Sequence, residues 1–167
     1  MFSEKMVIRE TTAKDKAAIR AIHAAAFGRE AEALLALHLI EAPDPTVSLI
    51  AERGTVPVGH ILLSKIDAPI RAAALAPLAV MPHYREMQIG TNLVRHAMNR
   101  ARRRGFEALF VLGHPGYYER FGFSSKLASP FDVPWKGPYF MALELRGGAL
   151  EGRSGTLKYP EIFTQAE

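Results

Sequence analysis

Three features of the sequence predict an α+β fold built on a mixed sheet. Short apolar runs bounded by Gly and Pro alternate with helical periodicity, in the order strand, two helices, three strands, helix, strand, helix, strand. Two of the strand runs flank Arg53-Gly54-Thr55, a hairpin signal, so those neighbours pair antiparallel. The stretch from Leu75 to Leu112 reads as strand, loop, long amphipathic helix and strand, a unit that takes a right-handed crossover.

In order along the chain, Met6-Val7-Ile8-Arg9-Glu10 is a first short strand, and either Thr12 or Asp15 caps the first helix. That helix, over 17–27, places Ala18, Ile19, Ile22, Ala25 and Ala26 on one stripe and ends at Gly28. A second helix over 30–40, with Leu34, Leu35, Leu37 and Leu39 apolar, stops before Pro43-Asp44-Pro45. Strands come next over 46–52 and 56–66, with Gly59 a candidate bulge, and another starts at Arg71 or Ala72. Pro77 cannot donate a ladder bond, which predicts an edge or a bulge in that strand. The next helix buries Ile89, Leu93, Val94, Ala97, Met98 and Ala101 and ends at Gly105, with Arg100, Arg102, Arg103 and Arg104 at the negative end of its dipole. The apolar run over 107–113 reads as a strand buried on both faces. Pro115 opens a short helix closed by Gly122, residues 124–138 form a loop, and 139–145 a last strand, with a short added strand near Thr156-Leu157-Lys158-Tyr159. A single domain over 1–167 is expected, with its core at about 6–145 and a Gly-rich extension over 146–167.

Composition narrows the chemistry. The absence of cysteine excludes disulfides, thiolate metal sites and a cysteine nucleophile. The six histidines show no metal-ligand spacing, so no metal is expected. The first residues form no signal-like apolar run, and no segment approaches the ~18–20 apolar residues of a membrane span, so a cytoplasmic protein without membrane partners is expected. The formal charge of +4 suits a phosphate-bearing ligand. Aromatic interleaving and nucleic-acid modules are lacking, so nucleic acid is not expected as a partner. A strand, a donor-rich loop and a helix start make an anion site, because unpaired N–H groups point out of a helix N-terminus.

Arg85-Glu86-Met87-Gln88-Ile89-Gly90, between that strand and helix, resembles motif A of the GNAT family of acetyl-CoA-dependent N-acetyltransferases, whose signature is Gln/Arg-x-x-Gly-x-Gly/Ala. The first and last positions match, and Gln88 stands where the family has its middle glycine. Tyr118-Glu119-Arg120-Phe121-Gly122-Phe123 resembles the Tyr-x-x-x-Gly-Phe ending of the family's motif B. A finer similarity is to the YhbS-like subgroup, carried by Pro77-Leu78-Ala79-Val80, Leu112-Gly113-His114-Pro115, Tyr117-Tyr118 and the Phe140–Leu145 strand. The resemblance implies the acyl-CoA N-acyltransferase fold, a mostly antiparallel sheet with a parallel pair at the cofactor site. It implies acetyl-CoA as co-substrate, held by Leu78, Ala79, Val80, Arg85, Glu86, Met87, Gln88, Ile89, Gly90, Thr91 and Tyr118. It also implies an amine acceptor, a small molecule or a protein, bound between the first two helices and the 124–135 loop, and leaves monomer or homodimer open.

Acetyl transfer to an amine passes through an oxyanion and expels a thiolate. The Leu78 N–H, freed by a bulge at Pro77, is the expected oxyanion donor, and Tyr118 matches the family's acid. His114 and His60 are candidate bases, and the acid-free strand over 72–80 leaves a water chain as the other route. Without cysteine, direct attack in a ternary complex is expected. Gln88 is expected to keep a negative φ with its side chain turned away from the cofactor. The alternative reading is a catalytically degenerate CoA-binding regulatory or interaction module, suggested by Glu86 and Gln88.

Overall fold

A computed structural model of the chain describes residues 5–42 and 46–165, and the predicted stop at Pro43-Asp44-Pro45 lies outside them. The elements are β1 (Met6–Glu10), α1 (Lys16–Phe27), α2 (Ala31–Glu41), β2 (Thr46–Arg53), β3 (Val56–Ile66), β4 (Ala72–Val80), α3 (Ile89–Arg103) and β5 (Ala108–Leu112). They continue with α4 (Pro115–Tyr118), α5 (Ser125–Ala128), β6 (Phe131–Asp132), β7 (Phe140–Glu144), β8 (Gly155–Thr156) and α6 (Ile162–Gln165). Six strands pair in the order β1-β2-β3-β4-β5-β7, and β6 pairs with β8. The six-stranded sheet is mixed and mostly antiparallel, with the parallel pair β4–β5. No helix among the described residues is long and apolar enough to cross a membrane.

The chain divides into two compact units. The first comprises the described residues of Met1–Leu63, Ala76–Ala97 and Glu161–Glu167. Here both predicted caps act together. Thr12 Oγ1 accepts from the Lys14 N–H at 3.3 Å, and Asp15 Oδ2 accepts from the Thr12 N–H at 2.7 Å, a capping box on the 3-10 turn Ala13–Asp15 that leads into α1. Asp15 also receives two bonds from the Arg9 guanidinium, at 2.8 and 2.9 Å, which hold its carboxyl down to about 2. Gly28, at φ 68, closes α1 by donating to Ala24 O. The buried face of α1 is Ile19, Ile22 and His23; the predicted Ala25 is exposed, and His23 takes the inner position instead. In α2, Ala33, Leu35, Ala36 and Leu39 are buried while Leu34 turns to solvent.

Gly59 in β3 is used for space. A Cβ there would meet Ile89 Cγ2 and Leu93 Cδ1, each at 2.9 Å, and Ala79 O at 3.3 Å. The buried face of α3 is thus pressed onto the strand where a side chain is missing, a close approach that only glycine allows. Ile89, Leu93, Val94, Ala97 and Ala101 are buried as their spacing predicts, and Met98 is half-buried.

The second unit comprises Ser64–Leu75 and Met98–Pro160. Gly105, at φ 84, ends α3: its N–H bonds Arg102 O and the Phe106 N–H bonds Ala101 O, a Schellman pair. β5 pairs parallel with β4 over Ala72–Ala74 and antiparallel with β7 along its whole length. Phe110 packs between Phe131 and Phe140, with ring centroids at 5.3 and 5.6 Å. The predicted 124–138 loop contains α5 and β6, and the added strand is Gly155–Thr156, parallel to β6, with Lys158 bridging Asp67.

Filling the space at Gly59 tests the close approach. Gly59→Val should lower stability by about 1–3 kcal/mol through overpacking, despite valine's favourable strand propensity. Chemical denaturation reads this, and an unchanged midpoint would mean that α3 rides clear of β3.

Candidate active site

One candidate segment runs from Leu78 to Thr91, in the first unit. β4 is continuous through Pro77 and includes a cis Ala76–Pro77 peptide; the strand lies between β3 and β5, and Pro77 stands past its last β5 partner, a local edge on that side. Pairing with β5 stops at Ala74, so Leu78 lies beyond the last β5 partner. Leu78 and Val80 are half-buried and Ala79 is buried. The strand end is tied down by the Met81 N–H, which bonds Val58 O at 2.8 Å.

After a short 3-10 turn over Pro82–Tyr84, the chain passes through two residues of positive φ, Glu86 at 69° and Gln88 at 62°. The expectation of a negative φ at Gln88 is therefore wrong. The backbone keeps the conformation that glycine adopts freely, and a residue with a Cβ occupies it at a cost of order 1–3 kcal/mol. Gln88 O accepts the first α3 bond, from the Asn92 N–H at 3.0 Å. Among the described residues, no backbone partner takes the N–H groups of Ile89, Gly90 and Thr91, the open donors of a helix start. The side chain of Ile89 is buried, so only its N–H faces the loop, while Glu86, Met87 and Gln88 are exposed. Arg85 Nη2 donates to Ala26 O at 2.9 Å, on the last turn of α1, where a cation meets the negative end of the helix.

Another candidate segment, in the second unit, runs from Gly113 to Phe123. The His114 carbonyl accepts from the N–H groups of Tyr117 and Tyr118, at 3.0 and 3.1 Å, which starts α4. Gly122, at φ 106, ends the following 3-10 turn. The Tyr118 ring lies against Gly113, whose Cβ, if present, would meet ring carbons Cε2 and Cδ2, the latter at 2.8 Å. Burial, and then the neighbouring Tyr117, push the Tyr118 phenol above its ordinary value, so it keeps its proton at neutral pH. Among the described residues its hydroxyl has no hydrogen-bond partner. Tyr117 is occupied differently: the Arg120 guanidinium lies 4.3 Å from its ring centroid, and Arg120 Nε donates to its carbonyl. His114 is exposed, edge-on to Tyr139 at 5.9 Å.

His60, the other candidate base, is wholly buried in the first unit, with Nδ1 2.8 Å from His23 Nε2 and Nε2 2.9 Å from Ser48 Oγ. Both of its nitrogens are engaged, so none is open to an acceptor amine. Burial holds His23 and His60 well below the ordinary 6.5; the His23 ring lowers His60 further, Glu32 opposes the shift on His23, and Asp15 opposes it on His60. His23 was hidden in the sequence because an alanine-rich helix offers no charge pattern to mark a buried histidine.

Comparison with known proteins gives consistent results. The family model "Acetyltransferase (GNAT) family" matches residues 16–123. The chain is 39% identical over 137 residues to the uncharacterized N-acetyltransferase YjhQ of Escherichia coli (strain K12), covering 74% of this chain and 75% of that one. It is 30% identical over 167 residues to the uncharacterized N-acetyltransferase YhbS of the same strain, covering 96% and 99%. The crystal structure of Escherichia coli YhbS in complex with CoA superposes with a TM-score of 0.90 at 29% identity, over 98% of this chain and 94% of that one. A GNAT family acetyltransferase from Brucella melitensis in complex with acetyl-CoA gives a TM-score of 0.80 at 28% identity, over 96% and 99%.

The loop and the histidine pair each yield an expected outcome. Gln88→Gly relieves the positive φ but loosens the unfolded chain, so it should be neutral to stabilising, by up to about 1 kcal/mol. Gln88→Val should lose at least about 1 kcal/mol, because a β-branched residue resists that φ. Thermal melting of the two variants gives the order, and the reverse order would refute the assignment of φ.

For the histidines, the folded state binds fewer protons than the unfolded state below pH 6.5. Their contribution is therefore complete above about 6.5 and declines as pH falls, by up to about 1.4 kcal/mol per pH unit for each ring. Asp15, lowered to about 2, adds its own loss only below about pH 4. Urea melts at pH 7 and pH 5 should show the drop, and His60→Asn should flatten the slope between them.

Proposed function

The chain belongs to the acetyltransferase (GNAT) family, and from that membership we propose that it moves the acetyl group of acetyl-CoA to an amine by direct attack in a ternary complex. The observation that carries the reading is the loop from Arg85 to Thr91. Its backbone turns twice through positive φ into the start of α3, leaving a row of N–H groups without backbone partners. Such a row suits the paired phosphates of the co-substrate, because oriented backbone donors favour anions. Complexes of YhbS with CoA and of the Brucella protein with acetyl-CoA support the same co-substrate here.

In the proposed reaction, Leu78, Ala79 and Val80 lie along the acyl arm, and the Leu78 N–H donates to the oxyanion as the amine nitrogen bonds the thioester carbon. The carbon–sulfur bond then breaks with its electron pair on sulfur, and the Tyr118 hydroxyl protonates the thiolate, which would otherwise leave with a pKa near ~8.5. Its hydroxyl is not committed elsewhere, and because burial disfavours a lasting tyrosinate, the proton that Tyr118 gives to sulfur is replaced by the one the amine loses, carried back through water. The amine's proton passes to water, with His114 as the exposed imidazole at the end of β5. The reading also takes the chain as one catalytic domain acting in the cytoplasm on a small-molecule or protein amine.

Tyr118→Phe removes one hydroxyl and keeps the ring against Gly113. Acetyl-CoA should still raise the melting temperature of this variant, as it does for the wild type. Turnover in an acceptor-dependent thiol-release assay should fall ~10²–10⁴-fold, with little change in the KM for acetyl-CoA. Tyr117→Phe should be mild. Wild-type turnover by Tyr118→Phe would assign the acid role to water or another residue, and no melting shift with millimolar acetyl-CoA would sink the co-substrate itself.

A further inference from the structure

A buried polar line runs through the first unit and takes no part in the proposed chemistry. Thr11 Oγ1 donates to Ser48 Oγ at 2.7 Å, Ser48 Oγ lies 2.9 Å from His60 Nε2, and His60 Nδ1 lies 2.8 Å from His23 Nε2. One set of proton positions satisfies every link. Ser48, accepting from Thr11, donates to His60 Nε2; His60 Nδ1–H then donates to His23 Nε2, and His23 carries its proton on Nδ1. That Nδ1 is buried without a partner. An apolar side chain would avoid the penalty of an unsatisfied polar atom, so the histidine answers to something other than stability.

What the line fixes is α1. His23 is the polar member of that helix's buried face, and its stacking on Phe27, with centroids 6.1 Å apart, carries the contact to the last turn. On that turn Ala26 packs with Ile22, Ile50, Ala79 and Met81, and its carbonyl accepts from Arg85. Two directional bonds therefore set α1, one toward β3 through His23 and one toward the loop through Ala26.

We infer that His23 is a positioning residue for the cofactor loop: its bond to His60 sets how α1 lies on the sheet, and α1 holds Arg85, and with it the backbone of residues 85–91, through the Ala26 carbonyl. The inference rests on the proposed cofactor role of that loop. The groups facing the pair are Glu32 from α2, itself bonded to Arg29, and Asp15 from the turn before α1, itself bonded to Arg9. A first proton can be carried by His60 donating to both Ser48 and His23. A second would set two N–H groups head to head across 2.8 Å. Only a second proton breaks the bond, and with both rings held well below 6.5 the folded pair stays neutral from pH 8 to pH 5.5, so the hold on α1 is constant over that range.

The test measures acetyl-CoA affinity and hydrogen exchange of residues 85–91 at pH 8. It compares wild type, His23→Leu, His23→Gln, Arg85→Met and the double variant His23→Leu/Arg85→Met. His23→Leu should weaken acetyl-CoA roughly tenfold at pH 8 and speed exchange in the loop. Gln, which can bond His60, should restore most of both. In the Arg85→Met background, His23→Leu should add nothing further. Wild-type affinity and exchange in His23→Leu, or simple additivity in the double variant, would overturn the inference. Should His23→Leu not fold, the folded Arg85→Met protein decides: wild-type acetyl-CoA affinity and wild-type loop exchange in that variant would refute the link. If wild type binds no acetyl-CoA while loop exchange still depends on His23, the cofactor reading falls and the coupling stands.

Discussion

The close approach of α3 to β3 at Gly59 is the constraint that sets the site's geometry. With Ile89 and Leu93 pressed onto the strand, the start of α3 is fixed in place. At the other end, the Met81 N–H ties the end of β4 to Val58 of the same strand. The chain between these anchors must turn within residues 82–88, and it does so through positive φ at Glu86 and Gln88. The helix-start donors are held in one orientation by the core beneath them. A loop free to relax would turn those N–H groups toward water or toward each other, and pre-set donors are what anion recognition needs.

Residues with strong periodicity were legible in the sequence, and those placed by distant partners were not. Ile89, Leu93, Val94, Ala97 and Ala101 announce the buried face of α3, and Gly28, Gly105 and Gly122 announce the ends of their elements. The alanine-rich α1 has too little contrast to fix its rotation, so Ala25 is read inward although His23 occupies that side. β6, β8, α5 and α6 are too short to carry a period, and β6 and β8 exist through pairing across more than twenty residues of chain. In the site, the strand, the loop and Tyr118 were legible as pattern. The bond from Arg85 to Ala26 and the engagement of His60 on both nitrogens were not, because each joins residues far apart in the chain.

Small residues serve the two candidate segments in different ways. Gly59 and Gly113 are needed for room, one for α3 and one for the ring of Tyr118, and each sits where a Cβ would overlap a neighbour. Glu86 and Gln88 show the converse, side chains at positions whose backbone favours glycine. Their side chains are exposed, so the penalty is confined to the backbone and no core atom has to move.

Positive φ at Gln88 bears on how such chains diverge from one another. What the loop requires at that position is a dihedral angle, and glycine is only its least strained occupant. A lineage with stability to spare can drift to a polar residue there and leave the shape of the loop intact, as a margin above the folding threshold permits. Divergence at this position is then neutral for the path of the chain while it opens a new exposed side chain beside the donor row. A consensus written in residue letters scores the change as loss of the motif, and one written in backbone angles scores it as silent.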